Sequence, residues 1–165
     1  MTIVSTTSTT TSPILAGVLE IHITDAPPTQ DVTDINVSLS NVRISQADSD
    51  TGWNYLGIAP KSFDLLQLTG IPGLLGEVNN LSNGTYAQIR MDVQFDSAVI
   101  SGQTVTTGVK IPINVLKLVG TFYIKSGQKT DITLYFDAAK SLVFIGSDTI
   151  TFKPTVTMTV QYTKN

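Results

Sequence analysis

The chain contains no cysteine and a single histidine, His22. Without cysteine there is no disulfide framework, no thiolate metal site and no cysteine nucleophile, although secretion stays open. One histidine and no cysteine fall short of a typical zinc site, so no metal is expected, and nothing calls for a cofactor. A Ser-His-Asp triad would need His22 beside an activated serine, and no G-x-S-x-G elbow occurs. His22 reads as an ordinary strand residue facing solvent. Charge is scarce too, at 14% of residues with a net of −3. Nucleic acid, which demands a basic face, is excluded as a partner, and so is electrostatic docking to an anionic membrane. No apolar run approaches the roughly 18–20 residues of a membrane helix, so no membrane span is expected.

What is there is a polar, largely uncharged chain of 165 residues, 41% of them hydrophobic. That is enough for one domain with a proper core. A surface rich in Thr, Ser, Asn and Gln depends little on pH and would suit an acidic exterior or a coat of glycans. The opening MTIVSTTSTTTSPILAG is different. Ile3 and Val4 are its only strongly apolar residues before Ile14, so alone it cannot offset its own ordering entropy. Residues 1–16 are therefore set apart as a tail, and 17–165 form one domain. The tail lacks the basic start and continuous apolar centre of a signal peptide. An exported chain would have its processed end at or near residue 1, whereas an initiator Met1 keeps a cytosolic location open.

The domain is patterned with period two. In TITFKPTVTMTVQY, Ile150, Phe152, Pro154, Val156, Met158, Val160 and Tyr162 share one face, opposite Thr and Lys. That is a strand with one face on a core and one in water, and Pro154 marks a break or edge within it. Leu19, Ile21 and Ile23 alternate in the same way, as do Ile132, Leu134 and Phe136. Ala87, Ile89, Met91, Val93 and Phe95 form another inward set. Ile35, Val37 and Leu39 share a face, after which Val42 and Ile44 take the opposite phase; the switch predicts a β-bulge at Ser40-Asn41. Shorter strands are expected at 53–56, 105–113, 116–124 and 142–145. The stretch SFDLLQLTGIPGLLGEVNN is apolar without alternation and reads as a helical turn or a loop across one end of the core. Many short strands with polar turns and almost no helical period give an all-β fold, an antiparallel Ig-like β-sandwich, without the Cys pair and central Trp of antibody domains.

Chemistry-bearing constellations are few. Asp48, Asp50 and Gly52 begin like a calcium loop but miss the EF-hand spacing. Asp25, Asp31 and Asp34 flank the first interstrand loop, where Asp is an ordinary turn former. A hydrolase would need Asp137 or Asp25 gathered with another carboxylate in a cleft, so no enzyme is expected. Lys153 lies in the outward phase, away from any isopeptide partner. Three N-x-[ST] sequons occur, at Asn36, Asn80 and Asn83. Export would make them N-linked glycan sites, and a cytosolic location would void them.

Several segments carry a family likeness: GVLEIHITDAPP (17–28), Trp53, FDLLQL (63–68), NGTYAQIRMDV (83–93), VKIPIN (109–114), DITLYFDAAKSL (131–142) and FKPTV (152–156). Together they resemble a family of uncharacterised domains in exported archaeal and bacterial proteins. Within it the chain is similar to the subunits of archaeal threads, glycosylated pilus-like surface filaments of thermoacidophilic Sulfolobales. That resemblance implies a pilin-like sandwich in an extracellular, cell-surface homopolymer of identical subunits joined head to tail by donor-strand complementation. It would serve adhesion or biofilm formation. It places the donor within Thr2, Ile3, Val4, Ser5, Thr6, Thr7, Ser8, Thr9, Thr10 and Thr11, the linker at 12–16, and N-linked glycans on the three sequons. A tail costly to order alone gains ladder bonds when added to a partner's sheet. Because the link is heterologous and does not close, it generates a filament. The alternative is a monomeric cell-surface domain binding carbohydrate or calcium, with the tail a Ser/Thr stalk.

Overall fold

A computed structural model describes residues 16–25, 31–46, 52–146 and 149–164. The expected donor, Thr2–Thr11, and the Asp48/Asp50 pair lie outside the described residues.

The domain is an all-β sandwich. The first sheet runs β13 (Val156–Lys164), β10 (Gln128–Phe136), β1 (Gly17–Asp25), β5 (Gly73–Leu81). The second has β2 (Val32–Ser45) and β6 (Gly84–Ile100) at its centre. The short strands β3 (Asn54–Tyr55) and β4 (Lys61–Asp64) pair with β2, while β7 (Gln103–Val105) and β9 (Val115–Ile124) pair with β6. A small third sheet joins β8 (Val109–Lys110), β11 (Leu142–Ile145) and β12 (Thr149–Phe152). Most pairs are antiparallel, but β1 runs parallel to β10 and β8 to β12. Two parallel strands of equal length show the same alternation as an antiparallel pair, so the pattern alone leaves their direction open.

The alternating residues build the core. Leu19, Ile21 and Ile23 of β1 and Ile132, Leu134 and Phe136 of β10 are fully buried, facing Ile35, Val37, Leu39, Val42 and Ile44 of β2. The bulge forms where the phase switches: the β2–β6 register slips between Ser40 and Arg43, and Asn41 takes φ 51°. Asn tolerates this left-handed conformation better than most residues. Pro154 falls in the gap between β12 and β13.

Three readings need correction. The strand expected at 105–113 is broken: β7 ends at Val105, the chain turns through Gly108 at φ 77°, and only Val109–Lys110 is strand again. Alternation puts Ala87 inward, but it is half-buried, and Tyr86 and Gln88 are buried instead. The register against β9 slips between Tyr86 and Gln88, reversing the phase there and stacking Tyr86 on Phe122 at 5.6 Å. The 63–81 stretch does contain a helical turn, a 3-10 segment at Leu65–Leu68 capped by Asp64, but it ends in β5, a strand that its pattern does not announce. Its alternation is hidden because an inward position is glycine: a Cβ on Gly76 would lie 2.7 Å from Ile58. Ile58 fills the space a side chain would otherwise take.

One side of the sandwich is thereby closed. Residues 56–68 cross it, burying Leu56, Phe63, Leu65 and Leu66, and Thr24 donates to the Leu68 carbonyl at 3.0 Å. The opposite side, between β9 and β13, is not closed in this way.

Candidate functional site

β13 has the pattern of a core strand without the cover of one. Val156, Met158, Val160 and Tyr162 all point between the sheets, yet each is only half-buried. Among the described residues β13 pairs only with β10, and β9 only with β6. The far backbone edges of both strands therefore border a cleft of about 470 Å³, lined by Lys117–Thr121 of β9 and by Val156, Met158 and Val160 of β13. Gly120 lets the two edges approach, since a Cβ there would sit 2.5 Å from Met158 Cε. Val119 is 63% exposed at the rim.

The two ends of the cleft differ. Gly17 pairs with Leu81, Gly84 with Ile124 and Gln128 with Lys164, so these residues mark one pole, called the tail-exit pole because Ala16, the last residue of the tail, adjoins Gly17 there. Asp25, Phe136 and Val156 mark the other. At the tail-exit pole the cleft is shut by Tyr123 and Tyr162, whose rings stack at 4.2 Å and 5°. The Tyr162 hydroxyl accepts from the Tyr123 N–H at 3.3 Å, and the buried Thr130 hydroxyl donates to the Tyr123 carbonyl at 2.9 Å. Burial pushes the Tyr162 phenol up from its ordinary value against the opposing Tyr123 bond. At the far pole nothing comparable joins β9 to β13 among the described residues. Both strands run toward the tail-exit pole, hence in the same direction as each other. One added strand would therefore meet both edges in the same sense.

The other expected residues are scattered. Asn36 sits mid-sheet between β4 and β6, half-buried, its amide donating to Ser97 Oγ at 3.1 Å. Asn80 and Asn83 are exposed at the tail-exit pole, with Asn80 at φ 66° and Asn83 Oδ1 accepting from Ser126. Asp25 is buried and accepts from the Ala138 N–H at 3.0 Å. Asp137 caps the short helix α1 (Ala138–Ser141), accepting from the Lys140 N–H. Both carboxylates hold backbone. A separate depression of about 530 Å³ has a single titratable group, Asp92, in its lining.

Sequence reading passes over one surface cluster. Arg90 stacks 4.5 Å from the Trp53 ring, and Arg43 lies near Trp53 and Tyr55 while pairing with Asp92 at 3.2 Å. The bulge at Asn41 shifts the register that brings Arg43 opposite Arg90, which is why spacing alone hides it.

A model of the domain of unknown function DUF4382 matches residues 16–154. The chain belongs to the DUF4382 family. The DUF4382 match begins one residue before β1 and stops before β13, so one of the two strands that border the cleft lies beyond it. It agrees with the resemblance to a family of uncharacterised domains. No curated protein matches the chain. Among solved structures, the DUF4382 chain is similar to a Bacteroides eggerthii protein described as a candidate cell adhesion protein, at 10% identity and a TM-score of 0.34. The alignment covers 91% of this chain and 57% of that one, so this chain spans a little over half its length.

Proposed function

We propose that the protein is a non-catalytic structural subunit of an extracellular, cell-surface filament. Identical copies join head to tail as the tail of one, within Thr2–Thr11, adds a strand to the cleft between β9 and β13 of the next. The observation that carries this reading is the half-covered apolar face of β13 beside the unpaired edge of β9.

Direction supports a neighbour as the donor over the chain itself. A copy seated on the open pole would send its tail down the cleft with its N-terminus deepest. Read from residue 2 to 11, that strand runs antiparallel to both β9 and β13. The chain's own tail, folding back past the Tyr123–Tyr162 stack, would run parallel to both. Parallel pairing is slightly weaker per residue, and the stack stands in its way. Threonine, β-branched, suits the extended conformation required. Burying three or four aliphatic or Thr methyl-bearing side chains, at up to roughly 1.5–3 kcal/mol for each full aliphatic, gives a stable junction before ordering costs. Asn80 and Asn83, exposed beside the tail exit, are the better-placed glycan acceptors; Asn36 would need its bond to Ser97 broken.

The test is negative-stain microscopy and size-exclusion of the full chain beside a chain starting at Gly17. Filaments that vanish on truncation support the donor strand. Equally stable monomers from both would make the tail a stalk and shift attention to the Trp53–Arg90 cluster as a sugar-binding face.

A further inference from the structure

The outer face of the first sheet carries a charged cluster that the cleft does not use. Alternation sets Glu20 and His22 two apart on this face of β1, and the parallel register places Asp131 of β10 directly beside Glu20. On the other flank β5 sets Glu77 opposite Glu20. His22 Nδ1 lies 2.8 Å from Asp131 Oδ1, and His22 Nε2 lies 3.9 Å from Glu20 Oε2. Lys129 Nζ donates to that same Glu20 oxygen at 3.0 Å. One ligand atom from each of Glu20, His22 and Asp131 falls within 4.8 Å of the other two.

We propose that His22 and Glu20 ligate a divalent transition-metal ion of the zinc type, with Asp131 holding the imidazole from behind and water completing the coordination. Residues i and i+2 of a strand project from one face about 6.6–7 Å apart, and a neighbouring strand adds a third about 4.8 Å to the side. Three side chains so placed converge over the sheet. The Nδ1 contact with Asp131 at 2.8 Å leaves Nε2 as the nitrogen on the Glu20 side, the one an ion would take; a carboxylate behind a ligating histidine is the usual support of such sites. Ligands about 2.0–2.2 Å from one ion stand no more than about 4.4 Å apart, so the 3.9 Å gap between Nε2 and Oε2 admits one. Charge points the same way, since Glu20, Asp131 and Glu77 all act on the ammonium of Lys129. That ammonium sits on a flexible stem and can leave as the cation enters. Imidazole beside carboxylate selects zinc, copper or nickel over calcium, which takes six to eight oxygens. Counting His and Cys along the chain misses the site, because its carboxylates come partly from a strand 109 residues away.

The test is calorimetric titration of the tag-free full chain with ZnCl2, with the imidazole NMR signals of its one histidine read in parallel. Zinc should shift the His22 signals, and CaCl2 at the same concentration should not. Asp131→Asn should weaken zinc binding about 10–100-fold, Glu20→Gln, which removes a ligand, at least as much, and His22→Asn should abolish it. Lys129→Met should tighten it by removing the competing ammonium, a gain that no unfolding can mimic. Unmoved His22 signals at millimolar zinc, undiminished binding in His22→Asn, or no gain in Lys129→Met would overturn the assignment.

Discussion

Replacing Gly120 by valine separates the stability of the subunit from the occupation of its cleft. The new Cβ would lie 2.5 Å from Met158 Cε, the tip of a flexible thioether chain with open cleft beside it. Gly120 is not among the glycines of positive φ, so its backbone accepts a β-branched residue. Removing a strand glycine returns roughly 0.5–1 kcal/mol, and rotating Met158 away costs about 0.5–1.5 kcal/mol. The two nearly cancel, and the melting temperature should move by no more than about 2–4 °C. Assembly should respond differently, because the introduced isopropyl group and the displaced Met158 fill the space of one donor side chain. Losing one aliphatic contact of about 1.5–3 kcal/mol weakens the junction roughly ten- to hundredfold. Light scattering against concentration, with electron microscopy of the same samples, reads the threshold for filament formation, and thermal scanning reads the subunit. Gly120→Val filaments forming at the wild-type threshold with an unchanged melting temperature would refute the cleft as the donor's seat.

Asp25→Ala should strand the buried Ala138 N–H and cost about 1–3 kcal/mol, seen as a lower urea midpoint; an unchanged midpoint would mean that α1 holds without it. Gly76→Val should overpack Ile58 and cost about 1–3 kcal/mol, and adding Ile58→Ala should recover part of that in a double-mutant cycle. Burial, and then the neighbouring Asp34 carboxyl, raise Asp64 above its ordinary 3.8. A raised folded-state value is a penalty that is present at neutral pH and relieved as pH falls to and below the unfolded value. Asp34→Asn should therefore stabilise by a few tenths to about 1 kcal/mol at pH 7, and the gain should be absent at pH 3.5 in paired urea titrations.

Where side chains alternate with the pleat, the strands are legible: Leu19–Ile23, Ile132–Phe136 and the phase switch at Ser40-Asn41 all lie where the pattern puts them. β5 is not, because Gly76 yields its inward place to Ile58, a residue eighteen positions earlier. The reversed phase at Ala87 is hidden for a similar reason, since it depends on how β9 registers against β6. The cleft is half legible. Period two marks the apolar face of β13, but whether a neighbour covers that face is a property of sheet order, which no local pattern encodes. The Glu20–His22–Asp131 cluster needs the parallel register of β1 on β10, again a matter of direction that alternation leaves open.

The shared direction of β9 and β13 also bears on force. In the assembly proposed, each junction lies along the strand axis, so a pull on the filament loads its ladder bonds together in shear instead of peeling them apart one at a time. A chain without cysteine has no disulfide to carry tension across its joints. Tensile strength would then come from how many rungs of two ladders must break at once, and from the Tyr123–Tyr162 stack acting as the stop against which the inserted strand is seated.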